Sequence, residues 1–211
     1  MNTDRSCAVF GQHPLRFPWG FDEEAEGCRR MKLELAQSIL ELRQQGVTEF
    51  QVACDPGVGL YAGEIVHALA EQERNIRLVC VMPHEGQATK WTPQLRERYF
   101  DMLACCDEVR CLAPRAQPGG QLLAYQKIVR DTNMTLAVYA PELANGSPED
   151  KAAAYAMALN RPMLGDKAGQ SGAQLEQQAL RYEIRSDKKY PRAAERTGGA
   201  GLVCLFAIKR M

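Results

Sequence analysis

Two histidines in this chain stand where a short apolar run gives way to a turn, in Gly11-Gln12-His13-Pro14 and in Met82-Pro83-His84-Glu85. Imidazole exchanges a proton near neutral pH, which makes His84 with Glu85 a candidate acid and base and His13 a candidate base or phosphate contact. The alternative for His84 and Glu85 is a solvated loop pair. A third stretch, Asp55-Pro56-Gly57-Val58-Gly59, precedes a helical pattern. There Gly57 and Gly59 would let backbone amides approach an anion at a helix N-terminus, or would simply make a tight turn that binds nothing. Asp55 is placed to contact a ribose or, as is commoner, to cap the helix. Gln87, Trp91 and Arg98 offer an amide, a stacking face and a cation around a planar ligand, although Trp91 and Tyr99 would equally serve to anchor their loop. His67, between Val66 and Ala68, reads as a packing or surface residue. Neither a Walker A loop nor a G-x-G-x-x-G fingerprint is present, and no Ser-His-Asp or Cys-His pair can be assigned from sequence.

The elements that must position these residues alternate. Cys7 to Gly11 reads as a first strand, and Asp22 as the N-cap of a helix with Glu23, Glu24 and Glu26 in its first turn. Cys28, Met31, Leu35, Ile39 and Leu42 form its apolar stripe. Further strands are expected over 50–54, 76–82, 108–112 and 134–139, and helices over 60–73, 92–104, 119–131 and 148–159. Helix 60–73 should bury Ile65, Val66 and Leu69, and helix 92–104 Leu95, Tyr99, Met102 and Leu103. Strands spaced by helices imply an α/β, Rossmann-like fold: a mainly parallel sheet with helices on both faces, and ligands outside the carboxyl ends of the strands. After Gly165 the sequence turns polar and glycine-rich, with a weak helical pattern over 173–183 and an apolar run from Leu202 to Ile208. Residues 1–164 are therefore expected to form the Rossmann-like domain and 165–211 an extension, partly disordered or adding a last strand.

Composition bounds the function. The 211 residues carry 26 basic and 26 acidic side chains, and this balance argues against nucleic acid or a polybasic membrane contact. No run approaches the roughly 20 apolar residues of a membrane span, and the N-terminus has no secretory pattern, so a cytoplasmic location is expected. The eight cysteines (Cys7, Cys28, Cys54, Cys80, Cys105, Cys106, Cys111 and Cys204) contain no C-x-x-C pair and read as reduced, mostly buried thiols with no metal site.

Several stretches together resemble the YpsA-type branch of the SLOG superfamily, Rossmann-like proteins related to the LOG phosphoribohydrolases and to the DNA-processing protein DprA. Cys7 to Pro14 is similar to that family's C-F-T-G-H-R-P strand and loop. Phe17-Pro18-Trp19-Gly20-Phe21-Asp22-Glu23 resembles its L-P-W-G-Y-x-E, and Phe50 to Glu64 its F-I-S-G-M-A-x-G-V-D-x-x-A-A-E. Pro83, Gln87, Trp91, Arg98 and Tyr99 fit P-x-x-x-Q-x-x-x-W followed by R-Y, and Val129 to Tyr139 resembles V-D-x-S-x-x-x-I-A-V-Y. The resemblance spans roughly 7–160. Against it, Gly11-Gln12-His13-Pro14 lacks the motif's arginine, and Ala53 and Gly59 stand where the motif has glycine and aspartate. Ala124 and Tyr125 replace an Arg-Asn pair, and Gly146-Ser147 a G-G-T turn.

The resemblance implies a domain that binds a nucleotide or nucleotide-derived small molecule in a sensing or regulatory role, with no cofactor and no catalysis of its own. The expected ligand edge comprises Gly11, Gln12, His13, Asp55, Gly57, Gly59, His84, Gln87, Trp91 and Arg98. Two rivals are an N-glycosidase acting on nucleoside monophosphates and a degenerate paralogue serving as a protein-interaction module. A homodimer is a further expectation.

Overall fold

The computed structural model describes residues 5–73, 75–140 and 144–159, and the backbone of 204–209. Five strands run parallel: β1 (Arg5–Gly11), β2 (Val47–Val52), β3 (Arg77–Met82), β4 (Glu108–Cys111) and β5 (Met134–Tyr139). A sixth, β6 (Cys204–Lys209), pairs antiparallel with β5, Met134 lying opposite Lys209 and Tyr139 opposite Cys204. The order across the sheet is β4-β3-β2-β1-β5-β6. The connections carry α1 (Glu26–Gln44), α2 (Val58–Gln72), α3 (Pro93–Cys105), α4 (Gly120–Asp131) and α5 (Pro148–Leu159).

Parallel strands covered on both sides read as continuous apolar runs, and the pleat then sends alternate residues to opposite cores. Cys7, Val9, Phe50, Val52, Leu78, Cys80, Leu136 and Val138 join one cluster with α1, α2 and α3. Ala8, Phe10, Val79, Val81, Ala137 and Tyr139 join the other with α4 and α5. The α/β, Rossmann-like arrangement with helices on both faces is thus present as expected. All five residues of the expected α1 stripe are buried. In α2 only Val66 of the expected trio is fully buried. The N-terminal turns from Val58 to Gly63 carry most of the packing, because they sit directly over the sheet.

The start of α1 departs from expectation. The helix begins at Glu26 with Ala25 as N-cap and no side-chain cap. Asp22 instead accepts from the Glu24 amide at 3.0 Å, closing a local turn. The ring of Trp19, stacked on Phe17 with centroids 4.9 Å apart, covers Gly27 so closely that a Cβ there would lie 2.6 Å from it. That contact sets where the helix enters. Glu23 leaves the first turn altogether and pairs with Lys32 and Arg98.

Among the described cysteines, Cys7, Cys28, Cys54 and Cys80 are buried and Cys105 and Cys111 exposed, so burial is less general than expected. Among the described residues no helix is long and apolar enough to cross a membrane. The expected domain boundary at 164/165 and the helical pattern over 173–183 lie outside the described residues.

At its carboxyl end the sheet is tied by one side chain. Gln12, fully buried, donates from Nε2 to the Ala140 carbonyl at 3.3 Å and accepts the Ala140 amide on Oε1 at 3.1 Å. Its own amide bonds the Val138 carbonyl at 3.1 Å, so β1 and β5 stay paired one residue beyond their ends. Gln12→Ala would strand both Ala140 groups in the interior and is expected to destabilise the fold by about 2–4 kcal/mol in urea denaturation. Gln12→Glu, which turns a buried carboxylate on the Ala140 carbonyl, should be at least as destabilising at neutral pH. A loss below about 0.5 kcal/mol for Gln12→Ala would show that the clamp contributes nothing.

Candidate functional site

The loops that follow all five parallel strands meet at one cleft of about 280 Å³. The loop after β1 contributes His13, that after β2 Asp55 and Pro56, and that after β3 Pro83, His84, Gln87 and Trp91. Gln117 precedes α4, whose first turns add Gly120, Gln121 and Tyr125, and Glu149 comes from the first turn of α5. The strand order reverses direction between β1 and β5, and open α/β sheets bind ligands at such a switch point. A second depression of about 350 Å³, lined by Arg29, Lys32, Leu33, Tyr61, Glu64 and Ile65, lies on the outer surface of α1 and α2, away from the strand ends.

Asp55 is the electrostatic centre of the cleft. It is 4% exposed; its Oδ2 accepts the Tyr125 hydroxyl at 3.0 Å, while its Oδ1 is buried with no hydrogen-bond partner. Burial, and then the nearby Glu149 carboxylate, push its pKa up to about 7, against the partial relief of the Tyr125 bond. The same surroundings hold the Tyr125 phenol well above its ordinary value. His13 is also affected: burial lowers its pKa, and Glu149 offsets part of the shift. Its Nδ1 accepts the Leu15 amide at 3.3 Å, which leaves Nε2 to carry the proton of the neutral ring.

Gln87 reaches across from the β3 loop and donates from Nε2 to the Cys54 carbonyl at 3.0 Å. Cys54 presents that carbonyl from a left-handed conformation with φ of 55°. Trp91 packs edge-on against Tyr99, with centroids 5.2 Å apart, and keeps a partly exposed face at the cleft.

The structure therefore brings His13, Asp55, His84, Gln87 and Trp91 together and leaves the other five expected residues out of the lining. Gly11 is a packing glycine, since a Cβ would lie 2.5 Å from Val58 Cγ2 and 2.8 Å from the Val138 carbonyl oxygen. Gln12 is spent on Ala140. Gly57 adopts φ +84° as the N-cap of α2, with Pro14 seated where a Cβ would go. Gly59 gives its space to Asp55, whose Oδ1 would be 2.5 Å from a Cβ there. Arg98 faces elsewhere, bonding Glu64 at 2.7 and 2.9 Å and Glu23 at 2.5 Å. Asp55 does not cap α2: its side chain bonds Tyr125, and its main-chain carbonyl accepts the Leu60 amide at 3.1 Å. Glu149, Gln117 and Gln121 lie outside the expected set, and Tyr125 enters it only as a replacement in the family's Arg-Asn pair. The available signal for Glu149 was an acid in the first turn of a helix that follows a strand's carboxyl end.

A carboxyl that holds its proton up to about pH 7 when folded, but ionises near 3.8 when unfolded, weakens the fold as pH rises. Below about pH 4 Asp55 costs nothing; the penalty grows between pH 4 and 7 and is complete above, at about 4 kcal/mol. Asp55→Asn keeps an acceptor for Tyr125 without the charge. It is expected to raise Tm by several degrees at pH 8, with the gain vanishing towards pH 4. An identical shift at both pH values would contradict the buried, poorly compensated carboxyl.

A profile of the YspA SLOG family (YpsA) matches residues 7–163. A UPF0398 protein of Halalkalibacterium halodurans is 31% identical over 130 residues, covering 61% of this chain and 68% of the relative. A second, from Shouchella clausii, is 29% identical over 131 residues, covering 61% and 69%. A third, from Bacillus pumilus, is 27% identical over 144 residues, covering 67% and 76%. The matched span contains every strand end that builds the cleft, and the chain belongs to the YpsA family of SLOG proteins.

Proposed function

We propose that the cleft binds a nucleotide or nucleotide-derived small molecule and that the protein acts as a sensor or regulator through that binding. The carrying observation is the convergence of five strand-trailing loops on one concave site that pairs the Trp91 ring with unpartnered polar atoms of Asp55, Gln87 and Gln121. An aromatic face with a few convergent polar groups at a switch point suits a planar base bearing a polar sugar. Buried polar atoms without partners cost free energy, and a ligand that satisfied them would recover it.

The test is thermal stability of the full chain against nucleosides, nucleoside mono-, di- and triphosphates, dinucleotides and ADP-ribose. A true ligand at 100 times its Kd should stabilise by about 2.7 kcal/mol. Trp91→Ala should weaken that ligand by about 1–3 kcal/mol if a base stacks there, with Trp91→Phe restoring part of the loss. Silence across the panel would remove the proposal.

A second reading, an N-glycosidase, is favoured by one observation: Asp55 stays protonated to about pH 7 beside Glu149, as a general acid and its companion carboxylate would. Release of free base from a bound nucleoside or its monophosphate, abolished by Asp55→Asn, would establish it. A ligand that binds and is never cleaved would leave the sensor.

A further inference from the structure

The floor of the cleft has a surplus of hydrogen-bond acceptors. Asp55 Oδ1 and Gln87 Oε1 are both buried and unpartnered. The Gln87 amide cannot be turned to present a donor instead, because its Nε2 is already given to the Cys54 carbonyl. Glu149, 6% exposed, adds a second carboxylate. Above about pH 7, where Asp55 is ionised and accepts the Tyr125 hydrogen, the side-chain donors left nearby are Gln121 Nε2 and the Nε2–H of His13. Among the described lining residues there is no lysine or arginine. Of the arginines on neighbouring elements, Arg16 pairs with Asn145 and Asp150, and Arg98 with Glu64 and Glu23.

With Asp55 ionised, such a site meets an anion with two carboxylates, no cationic lining side chain and few side-chain donors. It suits an uncharged group offering two hydrogen-bond donors side by side. Size agrees: at about 280 Å³ the cleft lies at the small end of the roughly 300–1,000 Å³ of ligand pockets, enough for one nucleoside-sized moiety rather than a dinucleotide.

We infer that the cleft recognises an uncharged nucleoside-type ligand by a pair of hydrogen-bond donors delivered to Asp55 and Glu149, with its ring on Trp91, and that it discriminates against phosphate. The donor pair is either a ribose cis-diol or the amino edge of a base. This inference rests on the reading of the cleft as a nucleotide-derived ligand site and names the part of the ligand it holds.

Isothermal titration calorimetry of the full chain at pH 8, where Asp55 is ionised, tests it, using adenosine, guanosine, cytidine and uridine, each beside its 5′-monophosphate, its 2′-deoxynucleoside and its free base. The expected result is a nucleoside that binds at least tenfold more tightly than its monophosphate. Asp55→Asn and Glu149→Gln should each bring that ratio towards one, the second variant carrying the test if the first fails to fold. Loss of binding in the deoxynucleoside identifies the diol as the donor pair, whereas full binding by the free base identifies the base edge. A monophosphate that binds as tightly as its nucleoside in the unaltered protein overturns the inference and leaves the binding site standing. No binding by any of these probes overturns the inference, and the binding site falls with it only if the di- and triphosphates, dinucleotides and ADP-ribose are silent as well.

Discussion

One carboxyl group with too few partners organises this molecule. Asp55 is sealed at the carboxyl end of the sheet with a single neutral side-chain donor, Tyr125, and no cation to match it. A buried carboxylate is normally matched by a cation or several donors, because desolvation of the charge is otherwise uncompensated. Here a second acid, Glu149, stands close enough to push the first towards its neutral form. A fold can carry such a group only if the surrounding framework is rigid. The two apolar cores on either side of the sheet supply that rigidity, and the Gln12 clamp fixes the strand ends beside it.

The departures from the family motifs become intelligible around this group. The motif places an acid at position 59 and a small residue at 55; here Asp55 and Gly59 stand reversed. The reversal is sterically coupled, since a Cβ at residue 59 would sit 2.5 Å from Asp55 Oδ1. A side chain at 59 and an acid at 55 cannot share that space. Tyr125, which occupies one place of the motif's Arg-Asn pair, makes the hydrogen bond that holds the relocated acid. Changes that look in sequence like independent losses of ligand contacts are, in space, one substitution of the site's chemistry. The fold is retained while the charge presented to a ligand shifts from basic towards acidic.

The fold was legible because its signal is local and redundant. Five residues spaced by three and four specify the buried stripe of α1, and a run of six with only Thr135 polar specifies β5 to the residue. Error entered where a position had two local solutions. Asp22 has the chemistry of an N-cap, yet the stacked Phe17–Trp19 pair sets the entry of α1 four residues later, and no periodicity encodes that packing. The site was legible only in part for a related reason. Sequence identifies which residues occupy the strand-trailing loops, and five of the ten expected there do line the cleft. It does not say which way each points. Gln12 and Arg98 have the right chemistry in the right neighbourhood, but their partners are Ala140, Glu64 and Glu23, residues distant in the chain. Glu149 and Tyr125 enter from the opposite face of the sheet, through a crossover that brings two later helices to the ends of the first two strands.

The residues that fell outside the lining are what give the lining its geometry. Gly11 lets α2 and β5 close on the end of β1, and Gly57 lets the His13 loop settle against the start of α2 through Pro14. Cys54 holds a left-handed backbone that, for a residue with a Cβ, costs of order 1–3 kcal/mol and persists only where its surroundings enforce it. The enforcement is visible: the residue is fully buried, and its carbonyl is taken by Gln87. That same bond commits the Gln87 amide nitrogen and leaves its oxygen buried and unpartnered. Backbone strain at the end of β2 and the acceptor surplus in the cleft are therefore a single arrangement. An end to β2 without the left-handed turn would relieve the strain but move the Cys54 carbonyl, free the Gln87 amide, and so change which atoms the cleft presents.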